Sequence, residues 1–570
     1  SPAMWSGALD PVTIAVLWGR LCQIADEMVA TLFRSAFNPN IAEAHDACHG
    51  LYDAASGATL VQGRSGLPVF VGSMAGAVAL EIDKNADDAV GPLQLRDGDV
   101  YVFNDPYRGG THLNDMKLVR PFFWDGRLVC HLASVGHFTD VGGAVPGNYN
   151  PTATESSQEG VLIPPVKLRR AGELVTDVVD VICAISRAPV NAYGDLNAQL
   201  NALDLGHARL TELITEYGVD TVTTAFTELS TRAARLMRSL IDELPDGTYS
   251  AVDHLDNDGI TDEPIAVSLD LTIHGDELRL DFGRTGAAAQ GPISISRTTA
   301  EAACYVALKH IFRDVPANSG CLEPVEILIP EGSLLAASHP RPVGGYTETI
   351  LRVMDVIFRC LAQADPAISN GCSYGTINAL SLAGTRENGD PWVMFTFYGG
   401  GLGGNPDGDG LNHGNAPLST ATIPPVEILE AAYPVAFRRW ALRPESGGAG
   451  RHRGGLGAEY EIELLAERAD AFAFGDRGRF PPPGVAGGEP SAANVIAFDT
   501  GGGPETPPMT SKAVGIKLQR GDTVHISSPG GGGYGPPAER DPDAVAADVA
   551  LGYETQGHAR ATYGIEGDGA

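Results

Sequence analysis

At 570 residues the chain is too long for one ordinary core and is expected to fold as three or four packed units. Its formal net charge of −32 and pI near 4.7 argue against nucleic acid or anionic membrane as partners, because both need a basic face. No run of 18 apolar residues is present, and the N-terminal SPAMWSGALDP lacks the charged-then-apolar order of a signal peptide, so a cytoplasmic location is expected. The cysteines (Cys22, Cys48, Cys130, Cys183, Cys304, Cys321, Cys360 and Cys372) are scattered without a CxxC pair. That pattern predicts reduced, mostly buried thiols.

Residues 12–36 place Ile14, Leu17, Leu21, Ile24, Met28 and Leu32 at intervals of three and four, the apolar stripe of a long helix opened by Pro11. From about 50 to 145 the texture is short apolar runs broken by glycine, which predicts strands; Asp125-Gly126 between two such runs marks a hairpin. Helical periodicity returns over about 192–243. Alternating segments turning at Gly275-Asp276 predict an antiparallel sheet, followed by helices near 298–312 and 346–364. Beyond about 390 the chain is glycine-rich with short β segments and has no regular repeat. The expected fold class is α+β, a large multidomain chain with a long N-terminal helix, mixed and antiparallel sheets and a glycine-rich β-containing C-terminal part. Its expected divisions are 1–245, 246–390 and 391–570.

The segment Asn104–Met116, NDPYRGGTHLNDM, follows the strand-like GDVYVF and carries His112 and Asp115, with a second histidine in SVGHFTDVGG at His137. Imidazole and carboxylate at the ends of successive strands suit zinc, manganese or iron, and three protein ligands leave positions open. On spacing alone, a polar glycine-rich loop whose side chains bond the backbone is slightly the favoured reading. In NIAEAHDACHG, Asp46 is a candidate fourth ligand, with His45 and His49 as rivals that local sequence does not separate. Asp105 and Asp140 are candidates for orienting the imidazoles, with loop capping the favoured role. None of GGGLGG, GGAGRHRGG and PGGGGYG has the Lys and Ser/Thr of a Walker A loop, so ATP chemistry would have to come from another subunit. No GxSxG is present. Cys48 beside His45 or His49 is a weaker nucleophile candidate than a small buried thiol.

Several ordered stretches together resemble the hydantoinase B/oxoprolinase family. They are the segment from DPVTIAVLWGRL to ACHGLYDA, GDVYVFNDPYRGGTHLNDM, GHFTDVGG followed by PGNY, QEGVLIPPVKL, RAPVNAYGDLNAQLNA, GGYTETILRVMDVIFRC, YGGGLGG and SPGGGGYGPPAERDPD. The resemblance covers nearly the whole chain. It implies the B-type subunit of an ATP-dependent cyclic amide hydrolase of the hydantoinase, 5-oxoprolinase or caprolactamase kind. A hydantoinase A-type partner would use ATP to phosphorylate the substrate, and a divalent metal (Zn, Mn or Fe) would sit on His112, Asp115 and His137 with Asp46 as fourth ligand. These four are also the implied catalytic residues. The related acetone and acetophenone carboxylases imply a carboxylating alternative, and a non-catalytic scaffold subunit is a second one. The chain departs from the family pattern at Phe70, where PVFVGSM replaces PVHLGSM, and in GHFTDVGG, which keeps one histidine where HHADIGG has two. Both changes thin the histidine supply but leave the implied ligands in place.

Overall fold

The computed structural model describes residues 9–64, 68–86, 95–419 and 421–564. The arrangement is α+β, as expected. Helix α1 (Pro11–Ser35) starts where Asp10 accepts hydrogen bonds from the amides of Val12 and Thr13, with Pro11 in the first turn. The six residues of the expected stripe are each at most 5% exposed. A short helix α2 (Pro39–Ala42) then leads into the first sheet.

That sheet contains β1 (Ala47–Asp53), β2 (Thr59–Gln62), β3 (Val100–Phe103), β4 (Asp115–Trp124), β5 (Arg127–His137), β6 (Val166–Arg170) and β7 (Glu173–Leu174). The spatial order is β2-β1-β5-β4-β3-β6-β7, and every neighbour is antiparallel. The β4–β5 hairpin turns at Asp125 and Gly126, at φ 47° and 75°, as a primed turn requires. Helices α4 (Thr176–Ile185), α5 (Pro189–Tyr217) and α6 (Val219–Asp242) follow. The periodic stretch expected over 192–243 is thus two helices, parted at Gly218, whose φ of 85° ends α5.

One helix lies where strands were expected. α3 (Pro68–Ala86) covers the face of the first sheet opposite α1 and α5 and packs on α7 (Arg297–Ile311). Its sequence, PVFVGSMAGAVALEI, is apolar nearly all round because it is enclosed by both sheet and helix, and the amphipathic period that announces a surface helix is absent. Phe70, on this helix, is 1% exposed in the core. Two glycines permit the close approach: a Cβ on Gly72 would lie 2.6 Å from Ala302 Cα, and one on Gly76 would lie 2.9 Å from Gly109 Cα.

A second sheet, β8 (Gly247–Leu255), β9 (Ile265–His274), β10 (Glu277–Asp281) and β11 (Val325–Leu328), has the order β11-β10-β9-β8 and turns between β9 and β10 at Gly275-Asp276, as expected. Only its β10–β11 pair is parallel. Helix α8 (Tyr346–Ala364) lies against β8 and β9 and is buried on almost every side. Two of its buried charged residues are paired: Arg352 binds Asp476 at 2.6 Å, and Asp355 binds Arg477 at 2.6 Å.

The C-terminal part has two packed sheets. One holds β12 (Ala379–Thr385), β13 (Pro391–Thr396), β16 (Arg468–Phe474) and β18 (Lys512–Gln519). The other holds β14 (Val435–Leu442), β15 (Ala458–Leu464), β17 (Val495–Asp499) and β19 (Thr523–Ser527). Leu380, Met394, Tyr460, Ile496 and Ile526 fill the space between them. Short helices α9 (Val426–Ala432), α10 (Pro542–Ala550) and α11 (Gln556–Tyr563) complete the described chain. One continuous core cluster runs from Ala44 through α3, α7, α8 and the second sheet to Phe395 and Phe474. The candidate site lies along it.

Candidate functional site

Asp115 is the first residue of β4 and His137 the last of β5, and the hairpin register sets them directly opposite each other. Side chains paired across an antiparallel ladder share a face, so carboxylate and imidazole project to the same side. His112 joins them from the preceding loop: its Nε2 lies 3.1 Å from Asp115 Oδ1, and its ring centroid is 5.1 Å from that of His137. Thr111 Oγ1 donates to the other Asp115 oxygen, Oδ2. Asp46 enters from the end of α2, tied to the hairpin by a 3.1 Å bond from the His137 amide to the Asp46 carbonyl. His112, Asp115 and His137 are at most 2% exposed, and Asp46 is 9% exposed.

The period of two along a strand separates the histidine rivals. His49 pairs with Ser134, whose hydroxyl accepts from Gln199 Nε2 of α5 at 3.2 Å, so His49 faces the α1 and α5 side. His137 is an odd number of residues from Ser134 and faces the opposite side, with His131, which meets Glu81 of α3 at 3.5 Å. His45, half-buried, stacks on Phe33 at 4.2 Å. Of the three neighbours in AHDACH, Asp46 alone lines the same small cavity as His137, about 30 Å³ in volume. Cys48 has no imidazole partner: its thiol contacts Gln62 Nε2 at 3.5 Å, and burial pushes its pKa up to about 12. Asp140 binds the amides of Gly142 and Gly147 and the Arg187 side chain, and Asp105 binds the Tyr107 amide. Both serve their loops.

The structure adds residues that sequence reasoning missed. Tyr149, Tyr346, Phe395 and Phe397 wall the cavity, with Val69, Thr347, Ile377 and Leu418. The Phe395 ring stacks on His137 at 5.2 Å and on Tyr149 at 4.9 Å, and Tyr346 lies 4.7 Å from His112. Tyr149 sits in PGNY and Tyr346 in GGYTE, but neither spacing nor periodicity relates segments about 200 residues apart. Lys117, fully buried on the same strand face as Asp115, donates to the Asp115 carbonyl at 3.1 Å, and desolvation lowers its pKa to about 8.

Electrostatically the cluster is short of positive charge. Burial, and then the nearby Asp115 carboxylate, raise Asp46 well above the usual carboxylate range. Burial, and then His112, push His137 down to about 3, so its imidazole is neutral. Both ring nitrogens of His137 lack a hydrogen-bond partner. A neutral imidazole with free nitrogens, beside two carboxylates held together in a dry place, suits a divalent cation: it would accept the lone pair and relieve the repulsion. No three residues of this quartet have donor atoms that all lie within 4.8 Å of one another. Among the described residues, the one trio of potential ligands whose donor atoms all lie within 4.8 Å of one another is Glu445, Glu554 and His558.

A family model described as Hydantoinase B/oxoprolinase matches residues 10–537. The caprolactamase subunit beta of Pseudomonas jessenii is 33% identical over 98% of this chain and 97% of its own length. The crystal structure of ATP-dependent caprolactamase from Pseudomonas jessenii superposes with a TM-score of 0.89 at 31% identity, covering 99% of this chain and 98% of that one. A nucleotide-free acetone carboxylase structure shares the fold, with a TM-score of 0.89 at 21% identity over 98% of this chain and 80% of that one. No helix among the described residues is long and apolar enough to cross a membrane. With a matched model spanning most of its length and full-length relatives above 30% identity, the chain belongs to the Hydantoinase B/oxoprolinase family.

Proposed function

We propose that this chain is the B-type subunit of an ATP-dependent cyclic amide hydrolase and completes ring opening of a substrate phosphorylated by an A-type partner subunit. The carrying observation is the end-of-hairpin pair Asp115 and His137, buried beside Asp46 and His112, with both His137 ring nitrogens unpartnered. The caprolactamase relative supports the substrate class. An amide resists water because nitrogen donates into its carbonyl, and a phosphorylated oxygen removes that protection, which gives ATP its role.

His112, Asp115, His137 and Asp46 would hold a divalent zinc, manganese or iron ion. Such an ion supplies Lewis-acid polarisation and lowers the pKa of water when bound. The chain's own groups do the positioning. Thr111 and His112 occupy the two oxygens of Asp115 and fix its carboxylate. Asp46 lines the cavity, where it completes the ligand set or accepts the proton of the attacking water. Burial, with Asp115 next in weight, raises the Tyr149 and Tyr346 phenols well above their usual range, so both stay protonated and can donate to oxygen charge developing on the substrate. Phe395, Phe397 and Leu418 keep bulk water out.

The same aromatic wall suits carboxylation of a phosphorylated enol, where water must be excluded, and this is the second reading. Co-purification with the partner subunit, elemental analysis and an ATP-dependent screen of lactams, hydantoins and ketones separate the two. Ring-opened product supports the hydrolase, and labelled bicarbonate fixed into a β-keto acid overturns it. His112→Ala is expected to abolish metal retention and turnover while ATP hydrolysis by the partner stays measurable. Undiminished turnover overturns the site, and a complex purified without metal supports a scaffold subunit instead.

A further inference from the structure

Away from this site, a second group of ligating side chains joins two segments more than 100 residues apart in sequence. Glu445 follows β14, Glu554 lies in the turn after α10, and His558 is in α11; one donor atom from each lies within 4.8 Å of the other two. That spread is what ligands around one cation show before it draws them in. The carboxylates and imidazole form a mixed oxygen and nitrogen set that suits first-row divalent ions.

The second observation concerns Glu554. It is 3% exposed, and while its Oε2 contacts His558 Nδ1, its Oε1 is buried with no hydrogen-bond partner. A simple Glu–His ion pair leaves that oxygen unsatisfied, and a buried carboxylate oxygen without a partner is destabilising. The nearby groups are arranged to present ligands. His558 Nε2 is 3.4 Å from Thr562 Oγ1, which leaves Nδ1 turned toward the glutamates. Glu445 Oε1 accepts from Thr555, and the Glu445 amide bonds the Tyr553 carbonyl at 2.9 Å, so the segments are already in register. Glu445 holds a left-handed φ of 59°, a strained conformation for a non-glycine residue.

We propose that Glu445, Glu554 and His558 bind a divalent transition cation of the zinc or manganese class, which fastens the C-terminal helix α11 to the sandwich. The helix needs such a fastening. It has eight residues, and Ala559 is its one buried side chain, so apolar packing contributes little to holding it. The site has no substrate-facing role: the cation is structural, completed by water at its open positions.

The test uses the full-length protein, stripped with chelator and titrated with zinc alone. The wild type is expected to bind one equivalent more than His558→Gln, both in the native sequence and in a His137→Ala background, which counts this site apart from the proposed catalytic one. Zinc at 100 times its dissociation constant is expected to slow amide exchange across residues 556–563 about 100-fold in the wild type and not in His558→Gln. Glu445→Gln, at a partly exposed side chain, gives the same reading if His558→Gln folds poorly. Equal zinc stoichiometry in wild type and variants, or exchange in α11 that ignores zinc, overturns the proposal and leaves a bare Glu–His ion pair.

Discussion

Substitution of Gly109 tests how the loop that carries His112 and Asp115 is seated. At φ 89°, a Cβ there would fall 1.9 Å from Ala77 N and 2.1 Å from Gly76 C, in the backbone of α3. Ordinary contact begins at 3.4 Å, so Gly109→Ala must part loop and helix by about 1.5 Å (3.4 − 1.9). The left-handed conformation costs about 1–2 kcal/mol with a side chain, and overpacking of this kind adds roughly 1–3 kcal/mol. Gly126 is the control: its φ is 75°, but a Cβ would meet nothing within 4 Å, so Gly126→Ala bears the conformational cost alone. Urea unfolding is expected to show Gly109→Ala losing about 2–5 kcal/mol and Gly126→Ala about 1–2 kcal/mol. Because His112 lies three residues further on, turnover of the complex should also fall about 100-fold, the usual effect of a 1 Å misplacement, in Gly109→Ala only. Losses that match within about 0.5 kcal/mol would refute the steric argument.

The strand faces give a second test: His49→Leu should retain bound metal and fold at least as stably as wild type, since it replaces a buried imidazole with two unpartnered nitrogens. His137→Leu should lose the metal, and elemental analysis of both proteins decides. A third prediction concerns the buried pair Glu81 and His131 on α3 and β5. Burial, and then Asp99, raise Glu81 to about 8, while burial lowers His131 to about 4, so near neutral pH both are uncharged. A carboxyl pKa raised in the folded state adds stability that is complete below its unfolded value of about 4.5 and is lost as pH rises toward about 8. Glu81→Gln keeps the acceptor for Asn85 and a donor toward His131, so wild type should lose stability relative to Glu81→Gln as pH rises across that window. An equal decline in both proteins, followed by thermal melts from pH 5 to 9, counts against the neutral pair.

How much could be read beforehand differs from element to element. The α1 stripe and the two hairpin turns were legible because local period and turn chemistry decide them. Helix α3 was not, since a helix packed between a sheet and another helix carries little amphipathic signal. The candidate ligands were named from local pattern and family resemblance, and Asp46 could be separated from His45 and His49 only once the faces of β1 and β5 were known. The aromatic wall was illegible for a different reason. Tyr149, Tyr346 and Phe395 reach the cavity from a loop, a helix start and a strand of another sheet, and no short-range rule links them.

The pairing of Asp115 with His137 makes the intervening hairpin a ruler. The two residues meet because arms of ten residues (Asp115–Trp124) and eleven (Arg127–His137) leave the Asp125-Gly126 turn, and one bulge opposite Phe122 and Phe123 takes up the extra residue. Side chains along those arms can therefore drift widely while their number cannot. One residue added to each arm preserves the opposition, whereas one added to a single arm slides carboxylate past imidazole and turns one of them to the far face. Within this hairpin, a change of length on one arm is a more serious lesion than most changes of identity.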